Sequence, residues 1–358
     1  MYICKSKPIT NREINFTRYL IINNEILWIM IQREAKLLND LNYAFFPVEE
    51  RAIYLDSEIG SPKRRIPGYK AIVDVGSNRA LSVVSDKYRL VTNREAYEMA
   101  DFVVRAIFEG KTLNDFVCFN VHMSKTKGSC RIDLIIPNNF NKLFGQETES
   151  WTPFVRISNS YNRTMVLKYE IGFCRWICLN GVIFGQTGIT FTITHLGRIT
   201  YKEIDILINR AKRNIGDIGS LWKAFENKMT ELKTIRFPLS LSLALYCKVF
   251  EIEYPEENNS WLTPRVSLSA EQVQKSSREY FRELGDNAYA MMNVLTDYAS
   301  FPEWTNNRSY IIHGYQKRVG KWVDDFITEH NKEGFVLSDY IEEKYKKTAN
   351  ELEKILAK

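Results

Sequence analysis

Basic and aromatic residues are interleaved at three places in this 358-residue chain. Lys63-Arg64-Arg65 precedes Gly68-Tyr69-Lys70, Lys87-Tyr88-Arg89 follows a short apolar run, and Arg156, Tyr161, Arg163, Lys168, Tyr169 and Arg175 recur across the next strand-like stretches. Guanidinium and ammonium groups neutralise phosphates, and phenol rings stack on unpaired bases. A surface bearing both holds single-stranded nucleic acid without performing a reaction. The competing reading is a solvated sheet face with ordinary cross-strand pairs. Nucleic-acid contacts are expected at Lys63, Arg64, Arg65, Lys70, Tyr88, Arg89, Arg156, Tyr161, Arg163, Lys168, Tyr169 and Arg175, with the cations on phosphates and the three tyrosines on bases.

Other chemistries leave weaker signals. There is no Gly-x-Ser-x-Gly elbow, no Gly-x-x-x-x-Gly-Lys phosphate loop and no His-Glu-x-x-His helix. Asp133 with Lys168 and Glu170 would suit a metal-dependent nuclease, although Lys-Tyr-Glu on a strand is commonly just an exposed charged face. Cys174 and Cys178 share a face in either period. On a helix their Cα atoms would be about 6 Å apart, and on a strand about 13 Å, too far for one metal or a disulfide. The surrounding composition favours a strand, so both cysteines read as core packing. Cys118, His122 and Cys130 are the other grouping of metal-ligand types, and lone cysteines on strands are more often buried small hydrophobes. Neither a metal nor a cofactor is expected. Tyr315 to Trp322, with Lys317, Arg318 and Lys321, is a basic-aromatic cluster that reads as a helix with a snorkelling charged face.

Charge is unevenly placed. Residues 1–200 carry 26 Lys+Arg against 19 Asp+Glu, and the remainder 23 against 24. The excess in the first part modestly favours an anionic partner there. A chain that is 45% hydrophobic and 26% charged is an ordinary globular one, which excludes disorder over most of its length. Six scattered cysteines and a start without a basic-then-apolar signal pattern point to a reduced, cytoplasmic protein. The longest uncharged run, 176–197, is broken by glycines, threonines and Asn180, and so reads as strand and turn rather than membrane span.

The elements that must position these residues follow from periodicity. Residues 10–38 read as a helix capped by Thr10, and Phe46–Leu55 alternates with period two. YKAIVDV, GSN and RALSVVS form a hairpin pattern, and Asn93 caps a helix that stops at Gly110. Five strand-like runs between Phe116 and His195 specify a mostly antiparallel sheet. Asn180-Gly181 between apolar runs predicts a tight hairpin turn with positive φ values. Beyond residue 200 the segments 201–213, 218–234, 237–250, 269–284, 287–300, 308–330 and 337–356 favour helix. The expected fold class is α+β. An antiparallel-sheet domain with flanking helices spans 1–200, and a mainly helical region spans 201–358, packed on the sheet or used for assembly.

Several stretches together resemble the phage/plasmid-like proteins grouped as domain of unknown function nine hundred thirty-two. They are PGYKAIVDV, LSVVSDKYRLVTNREAYEMAD, SNSYNRTMVLKYEIGFCRWICLNGVIFG and DNAYAMMNVLTDYASF, in family order across about residues 43–300. The sharpest is Arg175-x-x-Cys178-x-Asn180-Gly181, similar to the family's Arg-x-x-Cys-x-Asn-Gly/Thr signature, and Tyr88 and Asn93 match a second block. The resemblance implies a gene carried by phages, plasmids or prophages, and no particular reaction. Joined to the basic-aromatic pattern, it sets the expected function: non-catalytic binding or annealing of single-stranded DNA, with no membrane role and a homo-oligomer compatible. A protein-interaction module in counter-defence or replication assembly is the alternative, and a nuclease the second alternative.

Overall fold

The computed structural model describes residues 41–55, 63–136, 141–146, 149–175, 180–184, 190–193, 195, 206, 209, 217–254, 264–302 and 309–357. The expected helix over 10–38, nearly all of the one over 201–213, and Cys178 lie outside them. An antiparallel sheet in the N-terminal half and helices in the C-terminal half make the fold α+β.

A three-stranded antiparallel sheet comes first, from β1 (Val48–Leu55), β2 (Arg64–Asp74) and β3 (Arg79–Ser85), in the order β1-β2-β3. The β2–β3 turn is built by Asp74, whose carboxylate accepts from the Gly76 and Ser77 amides at 3.0 and 3.4 Å and from the Ser77 hydroxyl at 2.8 Å. Asn78 closes the turn at φ 53°, a left-handed conformation that Asn tolerates better than most residues. The inner side of this sheet packs Ile72 and Val84 on Tyr88 and Tyr161, with Phe46, Val48, Leu81 and Leu90 around them.

Helix α1 (Asn93–Ile107) follows. Its cap is Thr92 rather than the expected Asn93. Thr92 accepts from the Glu95 amide at 3.1 Å while Glu95 accepts from the Thr92 amide at 2.7 Å, a reciprocal capping box. Asn93 is instead buried and donates to the Ala44 carbonyl at 2.9 Å. Ala96, Ala100, Val103, Val104 and Ile107 form the buried stripe of α1.

The larger sheet contains β4 (Val117–Met123), β5 (Ser129–Ile135), β6 (Asn141–Lys142), β7 (Ser150–Ser160), β8 (Leu167–Arg175), β9 (Gly181–Val182) and β10 (Thr190–Ile193). The order is β10-β8-β7-β5-β4, antiparallel throughout, with β6 on β7 and β9 on β8. Alternation sends Ile132, Leu134, Val155, Ile157, Tyr169, Ile171 and Phe173 to one face, into the main core. There α1 and α2 (Ile218–Thr234) cover them, and Phe173 stacks on Phe225 at 4.4 Å between ring centres.

The remaining helices are α3 (Ser242–Phe250), α4 (Pro264–Leu284), α5 (Ala288–Ser300), α6 (Ser309–His330), α7 (Leu337–Tyr340) and α8 (Glu343–Leu356). The expected single helix over 337–356 is broken at Ile341, which is buried and non-helical. Helix α5 is buried on every side except at Asp297, which makes it the axis of the helical half. The main apolar core runs without a break from the large sheet through α2 to α8. Among the described residues no helix is long and apolar enough to cross a membrane.

Candidate functional site

The signature stretch proves to be a seam between sheet and helices. Register pairs Cys174 with Gly181 and Phe173 with Val182, so Asn180-Gly181 starts the returning strand β9 instead of forming the turn, and Gly181 does not take a positive φ. Arg175 ends β8 wholly buried, and its guanidinium pairs with the equally buried Glu149 carboxylate. Glu149 also accepts from the Tyr289 hydroxyl of α5 at 2.5 Å, and the Trp151 indole donates to that hydroxyl at 3.1 Å. Asn180 donates to the Tyr280 hydroxyl of α4 at 3.1 Å, and the Gly181 amide to the Ser300 hydroxyl of α5 at 2.9 Å. A Cβ at Gly181 would come 2.8 Å from Gln316 Nε2, so the glycine permits the close approach of α6.

The second face of the large sheet carries polar side chains in two adjacent cross-strand rows. Asn120, Asp133, Arg156, Glu170 and Thr190 stand opposite one another on β4, β5, β7, β8 and β10; His122, Arg131, Ser158, Lys168 and Thr192 form the next row. Arg156 grips Asp133 in a two-pronged ion pair, Nε to Oδ1 and Nη2 to Oδ2 both at 2.6 Å, and donates to Gln316 Oε1 of α6 at 2.8 Å. Beside it, the Glu170 carboxylate receives the Lys168 and Lys317 ammoniums, each 2.7 Å from Oε1, and His313 Nε2 stands 3.5 Å from Oε2. Burial opposes ionisation of Glu170, but His313, Lys168 and Lys317 together outweigh it and hold the carboxyl at about 2. Burial drives His313 down to about 3; Glu170 opposes this, and Arg156, Arg131 and Lys317 reinforce it. With Arg156 Nη1 3.5 Å from His313 Nδ1, the neutral ring accepts there and carries its proton on Nε2, toward Glu170.

These placements correct part of the expected site. Arg156 and Arg175 are buried and matched to carboxylates, and Tyr161 and Tyr169 are 1% exposed. Tyr169 donates to the Ala96 carbonyl at 2.8 Å, the Tyr161 hydroxyl accepts from the Asn93 amide at 2.8 Å, and Tyr88 donates to the Ser160 carbonyl at 3.0 Å. Rings and cations so enclosed have no open side toward a base or phosphate, so no nucleic-acid contact is assigned to them. Their strands lie inside the molecule because helices cover both faces, which alternation along a strand does not reveal. Lys168 remains partly open. Both Asp133 oxygens are occupied by Arg156, and His122 and Cys130 point to opposite faces of the sheet. Among the described residues no three His, Cys, Asp or Glu side chains are arranged to hold a metal ion.

The remaining expected residues gather on the small sheet. Lys63, Arg64 and Arg65 are exposed and have no carboxylate partner among the described residues. Register sets Tyr54 opposite Arg65, and Leu55 opposite Arg64. On the outer face Tyr69 sits diagonal to Val83, which stands opposite Ala71. Tyr54 and Tyr69 are 54% and 52% exposed, so two open rings flank the basic run. Lys70 faces inward and pairs with Glu50 at 2.8 Å, Arg89 is half-buried beside His195, and Arg163 projects from the exposed β7–β8 turn. Sequence reading passed over Tyr54 as a ring and His313, Gln316 and Lys317 as site residues. The latter three recur at i, i+3 and i+4 on one helical face, a spacing visible in the sequence.

No curated protein matches the chain, and no solved structure does. Residues 80–303 match the family model described as Domain of unknown function (DUF932). The match takes in β3, α1, the large sheet and helices α2 to α5, and so contains the whole Arg175–Asn180–Gly181 seam apart from its α6 partner Gln316. It covers well over half of the chain, which therefore belongs to the DUF932 family.

Proposed function

We propose that this protein binds single-stranded DNA without catalysis, through the three-stranded sheet β1–β3, in the cytoplasm of the host cell. The observation that carries the reading is the grouping of exposed Lys63, Arg64 and Arg65 with exposed Tyr54 and Tyr69 on one small sheet. Three cations on this surface neutralise a few phosphates, while the two rings offer faces to bases. The resemblance to phage/plasmid-like proteins supports a place in mobile-element DNA handling, where annealing by a homo-oligomer needs this type of surface and no catalytic residue.

Fluorescence anisotropy with a labelled single-stranded oligonucleotide tests the proposal. Three phosphate contacts give a logarithmic salt slope of about −2. The double variant R64E/R65E should lose most of the binding and roughly two thirds of that slope. Absence of binding at low salt ends the proposal, and a stoichiometric protein partner from a protein indifferent to DNA would favour the interaction-module alternative.

A further inference from the structure

A second site stands apart from the small sheet, where the polar rows of the large sheet meet α6. Asp133 and Arg156 neutralise each other, but Glu170 faces two ammoniums, Lys168 and Lys317, both 2.7 Å from the same oxygen. Among these five groups one positive charge is therefore left over beside a buried floor. The carboxylate is fully enclosed, whereas the Lys168 and Lys317 side chains are 21% and 34% exposed, so the surplus charge sits at the mouth. Thr192 and Thr190 stand directly opposite Lys168 and Glu170 in the register, on the same face of the sheet, and both are exposed. Two ammoniums thus lie beside two exposed threonines, next to a buried floor in which Arg156 is tied to Asp133 and Gln316. Such donors match the oxygens of a tetrahedral oxyanion. Burying charge on a sheet face costs stability, so a stripe of this composition is not explained by packing.

We infer that the Lys168–Lys317 mouth binds a phosphate group, with Lys317 and Lys168 as charge partners and Thr190 and Thr192 as hydroxyl donors. The site does not depend on the DNA-binding reading of β1–β3. Free phosphate, a nucleotide or a nucleic-acid backbone would each present the required group, and three titrations separate these sources: inorganic phosphate, a nucleoside monophosphate and a short single-stranded oligonucleotide. Each is followed by amide chemical shifts or calorimetry, against chloride at matched ionic strength. Saturable binding of at least one of them is expected in the full chain and in R64E/R65E. K317M should weaken it about tenfold or more, as loss of a charge-assisted contact does, and K317R should retain it. Lys317 is partly exposed and Lys168 still faces Glu170, so K317M keeps the fold at a lower unfolding temperature; a native amide spectrum checks this, and K168M provides the second arm. Responses equal to those of chloride, or binding indifferent to both K317M and K168M, would overturn the inference. Because R64E/R65E leaves this site intact, its failure and that of the small-sheet reading are separately visible.

Discussion

Arg175 shows what a single residue does in this fold. It stands in an apolar stretch of sequence and needs an anion, and the structure supplies Glu149 from just before β7, held by Tyr289 beside Trp151, with Glu283 of α4 at 3.5 Å as a second carboxylate. Removing one member of a buried pair leaves the other charge uncompensated. R175M should therefore cost about 3–5 kcal/mol in urea unfolding. R175M/E149Q should recover part of that loss, because the orphaned charge is gone too. If R175M were as stable as the wild type, the pairing would have no structural weight. Gly320 is a steric counterpart: a Cβ there would approach the Ile183 carbonyl oxygen to 2.2 Å. G320A must push α6 away from β9, and a loss of about 1–3 kcal/mol is expected in the same assay. The need for an anion at Arg175 was legible from its neighbours. The identity of Glu149, 26 residues earlier, was not, since only the β7–β8 register and the α5 contact bring them together.

At the scale of elements, the two sheets divide the aromatic residues by role. Tyr54 and Tyr69 lie on an open three-stranded sheet, whereas Tyr161 and Tyr169 belong to strands or turns covered by α1 and its cap. Y69A and Y54A should each weaken oligonucleotide binding by about 1–3 kcal/mol if a base stacks there, with little change in stability. Y169F should do the reverse. It removes the hydroxyl's hydrogen bond to the Ala96 carbonyl, lowering stability by about 1 kcal/mol and leaving binding alone. Equal binding losses in both groups would count against the division. The strands and helices themselves were largely readable: the β2–β3 hairpin, the run of strands from Phe116 onward and α2 match the periodicity closely. Boundaries moved where local contacts decided them: a capping hydrogen bond at Thr92, and a buried, extended Ile341 that breaks the last helix.

At the scale of the molecule, the large sheet and the helices share one apolar core, and the polar face beneath α6 couples its stability to pH. His313 is held at about 3, well below an ordinary imidazole near 6.5, so its neutral form contributes fully above about pH 6.5 and that contribution fades as pH falls toward 3. Glu170 is held at about 2 against an ordinary 4.5, so its contribution is full above about pH 4.5 and is lost as pH falls through 2. Both act in the same direction. Urea midpoints should decline from pH 6.5 downward, by at most about 1.4 kcal/mol per pH unit for each group, and H313N should flatten the limb between pH 6.5 and 4.5 and make the lower limb shallower, where Glu170 alone then contributes. A midpoint constant from pH 7 to 4 in the wild type would refute the coupling.

The sequence by itself determined the α+β class, the antiparallel strands, most of the helices, and the choice of basic and aromatic side chains as the chemistry worth locating. Those features are local: period, turn residues and charge are written in neighbouring positions. Only the tertiary structure decided which of these side chains face water. A strand alternates in the same way whether its second face meets solvent or α6, so Arg156 and Lys63 look alike in the sequence. Arg156 is buried under a distant helix and matched to a carboxylate, whereas Lys63, Arg64 and Arg65 stay exposed on the small sheet.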